Sequence, residues 1–253
     1  MRRATLAALA VFALLGVTSR SAAKDEPARA AFDNGMHLYE AGDYEGAAKA
    51  FGEVAASGIE DPVVHYNLAN AWFKAGHLGP AIYHYRRAHA LAPRDADIAA
   101  NLDYARFLAL DRVEEGAKTD RPVEGWLDRV TPEEAARVPM GLWLLAGIAG
   151  CAWRLGARGS FAWRRSFATL LVLWVVSFAG AWMMERRAGR IDEAVVLARE
   201  STVHNGPGAS FETAFVLHEG AEVVVEGERG EWTEISLPGD LRGWISGDAI
   251  ARL

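Results

Sequence analysis

The segment YEAGDYEGAAKAF at residues 39–51 is answered by FKAGHLGPAIYHY at residues 73–85, an offset of 34 residues. At that offset Gly35 pairs with Ala69, Gly42 with Gly76, Tyr44 with Leu78, Ala47 with Ala81 and Phe51 with Tyr85. Each match has a mechanical reason. Small residues at 35/69 and 47/81 let two antiparallel helices approach closely, and glycine at 42/76 supplies the turn between them. Large residues at 44/78 and 51/85 fill the groove to the next unit. Residues 28–110, rich in Ala, Leu, Tyr and charged residues, therefore read as stacked helical hairpins of one repeating design.

This pattern resembles the tetratricopeptide repeat (TPR). The second unit carries the resemblance on Asn67-Leu68-Ala69, Trp72, Gly76, Ala81, Tyr85, Ala88 and Pro93. The first is looser, with Pro62 in place of a closing proline near Ile59, and a third helix over 95–110 matches only a first-helix pattern, as a cap does. In TPR domains the first helices line a concave groove for peptides. Carried over, that face consists of Phe32, Met36 and Tyr39, then Tyr66, Asn67, Asn70, Phe73 and Lys74, then Asn101 and Tyr104. Asparagine there can hydrogen-bond an extended ligand's backbone, or simply be solvated or tie down a neighbouring helix, and exposed aromatics are the better mark of a partner site.

Outward from the repeat, the N-terminus reads as a signal peptide over 1–23. Arg2 and Arg3 precede an apolar run from Ala4 to Val17, and Ser21 and Ala23 suit cleavage before Lys24. Beyond a linker at 111–136, VPMGLWLLAGIAGCAW at 138–153 and SFATLLVLWVVSFAGAWMM at 166–184 contain no charged residue. The expectation is two transmembrane helices, 138–155 and 166–184, although the first run is short for a hydrocarbon core that takes about 20 residues. Leu155 and snorkelling by Arg137 and Arg154 extend it. The connector carries four Arg (154, 158, 164 and 165) and no acid, so the loop 156–165 is expected in the cytoplasm and both flanking regions outside, despite three Arg in ERRAGR at 185–190.

After residue 190 the periodicity changes. Runs at 194–197, 214–217, 222–226, 232–237 and 243–245 alternate with turn clusters NGPG (205–208), EG (219–220), RG (229–230) and PGD (238–240). Five strands are expected in a small barrel over 191–253. The segments GPGASFETAFVLHEGAEV (206–223) and GEWTEISLPGDLRGWI (230–245), closed by Ala249-Ile250, resemble bacterial SH3 (SH3b) domains. Trp232 and Trp244 are candidate ligand platforms there, but in so small a domain one or both, Trp232 in particular, are expected in the core.

Charge narrows the function classes. Residues 24–136 carry 12 Lys/Arg against 20 Asp/Glu, and residues 191–253 carry 4 against 12, each −8, while the remaining stretches carry 11 against 1. Two acidic regions flanking a basic, apolar middle exclude nucleic acid as a natural partner and favour a lipid bilayer. The one cysteine, Cys151, lies in an apolar run and reads as a small buried hydrophobe. His77, His84 and His89, at spacings of seven and five, are expected on a solvated face, with no metal site. No catalytic motif, phosphate loop or cofactor fingerprint is present, so neither an enzyme nor a cofactor is expected.

The whole reads as a multidomain membrane protein: an all-α TPR solenoid, two transmembrane helices and a small all-β SH3-like barrel. This domain order resembles the BatE-type proteins of aerotolerance (Bat) operons. The resemblance implies a scaffold in the bacterial inner membrane with its TPR and SH3b domains in the periplasm. It further implies von Willebrand A-type membrane proteins and a MoxR-type ATPase as company, in envelope stress tolerance or maturation. The alternative is a peptidoglycan-binding sensor or anchor acting through the SH3b domain, which the 12-residue inner stretch 154–165 weakens because it is too short for a folded output domain.

Overall fold

The structure, a computed structural model, describes residues 22–111, 132–155, 161–188, 192–239 and 241–253. The leader expected at 1–23 lies outside these residues except for Ala22 and Ala23, and so does most of the linker and of the loop between the apolar helices. Five helices come first: α1 (Ala22–Glu40), α2 (Tyr44–Ala56), α3 (Pro62–Ala75), α4 (Leu78–Leu91) and α5 (Ala96–Leu108). Asp43, Asp61 and Asp95 cap α2, α3 and α5 by accepting backbone N–H bonds, satisfying donors that a helix start leaves open.

The residues matched at 34 do the same work in both hairpins. Gly42 and Gly76 turn the chain in the left-handed region, at φ 82° and 85°. Ala47, Ala81 and Phe51 are fully buried, and Tyr85 is nearly so. A Cβ at Gly35 would stand 2.6 Å from the Phe51 ring, so the small residue is what admits the large one.

Two apolar helices follow, α6 (Pro132–Leu155) and α7 (Phe161–Ala188), packed against each other with Ala146 and Ala149 buried. Among the described residues one helix is long and apolar enough to cross a membrane, through the 19-residue stretch Arg165–Met183, none of which is buried inside the molecule. The corresponding apolar stretch of α6, Arg137–Cys151, is shorter. Cys151 is exposed and not buried as expected: α7 covers only one side of α6.

The C-terminal region is an antiparallel sheet with seven strands among the described residues: β1 (Glu193–Val196), β2 (Glu200–His204), β3 (Thr213–His218), β4 (Glu222–Arg229), β5 (Trp232–Leu237), β6 (Leu241–Ser246) and β7 (Ile250–Arg252). Their order is β3-β2-β6-β5-β4-β1-β7, so β3 and β7 end the ladder and the hydrogen bonding does not close. Two strands exceed the five expected. In β2 only Val203 is buried, which leaves almost no apolar alternation to read, and β7 is three residues long. Val196, Val203, Leu217, Val223, Ile235 and Ile245 form the core inside the curled sheet.

The helical and β regions pack together as one body. Strand β1 is buried on both faces: Ala194 and Val196 point into the sheet's core, while Val195 packs with Ala81, Ile82, Leu102, Ala105 and Ala109 of the helical unit. Arg106 holds Glu222 through two bonds of 2.8 and 2.9 Å, Arg86 bonds Glu222 at 3.0 Å and pairs with Glu193, and the His218 backbone N–H donates to Asp111. Helix α4, which has no side-chain cap of its own, receives one from the sheet: Gly79 N–H donates to Glu219 Oε2 at 3.3 Å. The β region thus covers the end of the helical stack, where a further hairpin would otherwise have to bury α5.

Candidate functional site

Alternate helices of the stack open a groove of about 350 Å³, lined by Tyr39 of α1, Tyr66, Asn70, Phe73 and Lys74 of α3, Tyr85 of α4, and Asn101 and Tyr104 of α5. Seven of these eight are residues the sequence placed on the concave face. They meet because α1, α3 and α5 occupy equivalent places in successive hairpins, so one helical face recurs every 34 residues.

Three expected residues are not brought to the groove. Phe32 packs on Phe51, with ring centroids 5.3 Å apart, and Met36 joins the same cluster, around the ring that Gly35 admits. Asn67 donates to the Val63 carbonyl one turn back at 2.8 Å, tying its own helix. The residue the sequence missed is Tyr85. The 34-residue period marks it as core, and its ring is core, but its hydroxyl reaches the groove floor and donates to Asn70 Oδ1 at 2.5 Å.

The polar groups form a short network. Asn101 Nδ2 donates to Tyr66 Oη at 2.9 Å and to Asn70 Oδ1 at 3.4 Å. Among the described residues the Asn70 amide N–H groups and the Asn101 side-chain carbonyl oxygen make no hydrogen bond to protein, leaving a donor and an acceptor open in the same network. Burial, and next the nearby Tyr66 and Tyr39 phenols, push the Tyr85 hydroxyl's pKa up, and burial raises that of Tyr39, so both remain neutral donors at ordinary pH. Phe73 and Tyr104 stand as a tilted aromatic pair at 5.8 Å, with Tyr104 56% exposed. Lys74 is the one charged side chain among the described lining residues, which include no carboxylate, imidazole or thiol. Such a lining can hold an extended chain by its backbone and one apolar side chain.

The histidine expectation is corrected by the structure. His84 is not on a solvated face: its Nδ1 lies 3.2 Å from Nδ1 of His65, with the two ring planes 20° apart. Spacing within one helix could not reveal this, since His65 comes from the preceding helix. Among the described residues no group of three or more His, Cys, Asp or Glu side chains could hold a metal ion.

In the sheet, Trp232 and Trp244 are only partly buried, while their neighbours Thr233 and Ile245 point into the core. The two tryptophans therefore lie on the outer face. The His204 ring meets Trp232 edge-on at 5.4 Å, and the Arg229 guanidinium sits 5.8 Å from the Trp244 ring centre. The reading of Trp232 as a core residue is withdrawn on this geometry.

No curated protein matches the chain. Residues 62–95, which span α3, α4 and the turn to α5, match the tetratricopeptide repeat family, so the hairpin that supplies five of the eight lining residues is a TPR repeat of the kind that suggests a protein–protein interaction scaffold.

Proposed function

We propose that this protein is a non-enzymatic scaffold of the bacterial inner membrane whose groove binds an extended peptide segment of a protein partner outside the cytoplasm. The observation that carries this reading is the groove itself: a TPR hairpin and its neighbours present aromatic rings, an open amide donor and an open carbonyl acceptor along one face. Peptide backbone offers the complementary acceptor and donor, and the Phe73–Tyr104 pair offers stacking area for one apolar side chain.

The membrane part of the reading rests on α7 and on a parity argument. Residues 22–111 and 192–253 touch each other through β1, α4 and α5, so both lie on one side of any bilayer. The chain between them must cross an even number of times, and if α7 crosses, α6 crosses as well. The short apolar stretch of α6 is consistent with local thinning or with Arg137 snorkelling. The Arg-only connector then sets the cytoplasmic side.

The resemblance in domain order makes von Willebrand A-type membrane proteins and a MoxR-type ATPase system the first partners to test. A second reading, peptidoglycan binding by the SH3-like region, is favoured by one observation: Trp232, Trp244, His204 and Arg229 gather on its outer face. The test is capture of those partners from detergent extracts by the full chain and by Phe73→Ala/Tyr104→Ala. Loss of capture with unchanged helical circular dichroism is expected; capture equal to wild type would refute the groove.

A further inference from the structure

The groove's shape depends on how α3 and α4 lie together, and their contact contains a paired titratable element that peptide binding does not use. His65 of α3 is 5% exposed, and its Nδ1 meets His84 Nδ1 of α4 at 3.2 Å. His65 Nε2 makes no hydrogen bond and faces Glu60 Oε2 at 3.6 Å. Glu60 is itself held by Arg87 of α4 at 2.7 and 2.8 Å, Asp61 lies at the start of α3, and the Tyr83 ring meets His84 edge-on at 4.8 Å.

The proton count of this pair is fixed by its geometry. For the contact to be a hydrogen bond in the neutral pair, one ring must donate its Nδ1–H to the bare Nδ1 of the other, so that a single proton bridges it. One further proton is tolerable only as a buried cation, because one Nδ1 must still stay bare. A second puts two Nδ1–H donors head to head at 3.2 Å, and the rings must part.

The next rung of the same helix pair is the groove. Tyr66 follows His65, Tyr85 follows His84, and their rings stand 6.1 Å apart. Tyr85 fixes Asn70 and Tyr66 fixes Asn101, so separation at the histidines pulls on both ends of the polar network.

We propose that the His65–His84 pair is an acid-sensitive latch that holds the α3–α4 hairpin, and with it the groove, in its peptide-binding shape and releases it as protons enter the pair. As a control of binding it rests on the groove reading above. Burial first, then the neighbouring His65 and Arg87, hold the His84 pKa down to about 3, and burial also lowers that of His65 against the pull of Glu60 and Asp61. In an opened hairpin both rings titrate near the free value of about 6.5. Between pH 7 and 5 the open population then rises about 25-fold if one ring takes up its proton only on opening, and about 600-fold if both do.

Amide hydrogen exchange of the full chain in detergent, corrected for intrinsic rate, tests this without any ligand. Protection of α3 and α4 should fall by about 25- to 600-fold from pH 7 to 5. His65→Phe/His84→Phe should abolish the fall. If that variant does not fold, His84→Gln should leave a fall no larger than about 25-fold, the value for one ring. Protection that is unchanged at pH 5, or an equal fall in the substituted proteins, overturns the latch while the groove stands. Failed partner capture at pH 7 overturns the groove and not the hairpin's response to acid.

Discussion

Gly79→Ala adds a single methyl group where the helical and β units meet, and forces them apart. A Cβ at position 79 would stand 2.6 Å from the Val196 carbonyl oxygen and 2.9 Å from Leu197 Cα, and both are backbone atoms at the end of β1. Ordinary contact needs about 3.3 Å or more, so the strand has to retreat by roughly 0.7 Å from a helix it is otherwise bonded to. Overpacking of this kind costs about 1–3 kcal/mol. Removing a helical glycine returns up to about 1 kcal/mol, which leaves a net loss between about 0 and 3 kcal/mol. Gly52 of α2 is the internal control, because an added Cβ there meets nothing within 4 Å. Gly52→Ala should therefore stabilise by roughly 0.5–1 kcal/mol. Urea unfolding of the full chain in detergent, followed by circular dichroism, gives both values, and exchange at the Val196 amide reports β1 directly. If Gly79→Ala is as well tolerated as Gly52→Ala, β1 does not pack on α4 and the single-body description is wrong.

The remaining predictions concern the sheet, acid stability and orientation. Ile235→Ala, at a fully buried site, should cost about 2–5 kcal/mol, whereas Trp232→Ala on the outer face should cost only about 1–2, so urea midpoints should rank them in that order. His84 titrates at about 3 when folded against about 6.5 unfolded, so the unfolded chain binds the extra proton. Stability should therefore be fully present above about pH 6.5 and lost as pH falls toward 3, by about 2 kcal/mol at pH 5, and His84→Gln should flatten that slope in urea titrations. Alkaline phosphatase fused after residue 120 or 253 should be active and near Gly159 inactive; activity at Gly159 would reverse the proposed orientation.

Much of the groove was legible because a 34-residue period carries position as well as helix type. Once Gly42 and Gly76 mark the turns, Tyr66, Asn70, Phe73 and Asn101 fall on one face without any tertiary information. What failed to show was whatever depends on side-chain contact between separate elements. Tyr85 reads as core, and only the reach of its hydroxyl makes it a groove residue. His65 and His84 stand 19 positions apart, on different helices, and no spacing rule joins them. The docking of β1 did leave a trace. Ala194-Val195-Val196 is a continuous apolar run where a half-solvated strand would alternate, the pattern of a strand covered on both faces. Trp232 misled in the opposite sense: its size suggests core, but its parity with Ile235 along β5 puts it outside.

The central claim is that the groove holds a peptide segment of a partner, and site-specific photo-cross-linking in the intact membrane tests it most directly. A photoreactive phenylalanine analogue placed at Phe73 or Tyr104, in the groove, should join the chain to one partner protein at neutral pH. The same group at Glu53, exposed on α2 and absent from the groove lining, should not. Cross-links of equal yield from 53, 73 and 104, or none from 73 and 104 while the chain still captures its partner, would contradict the account.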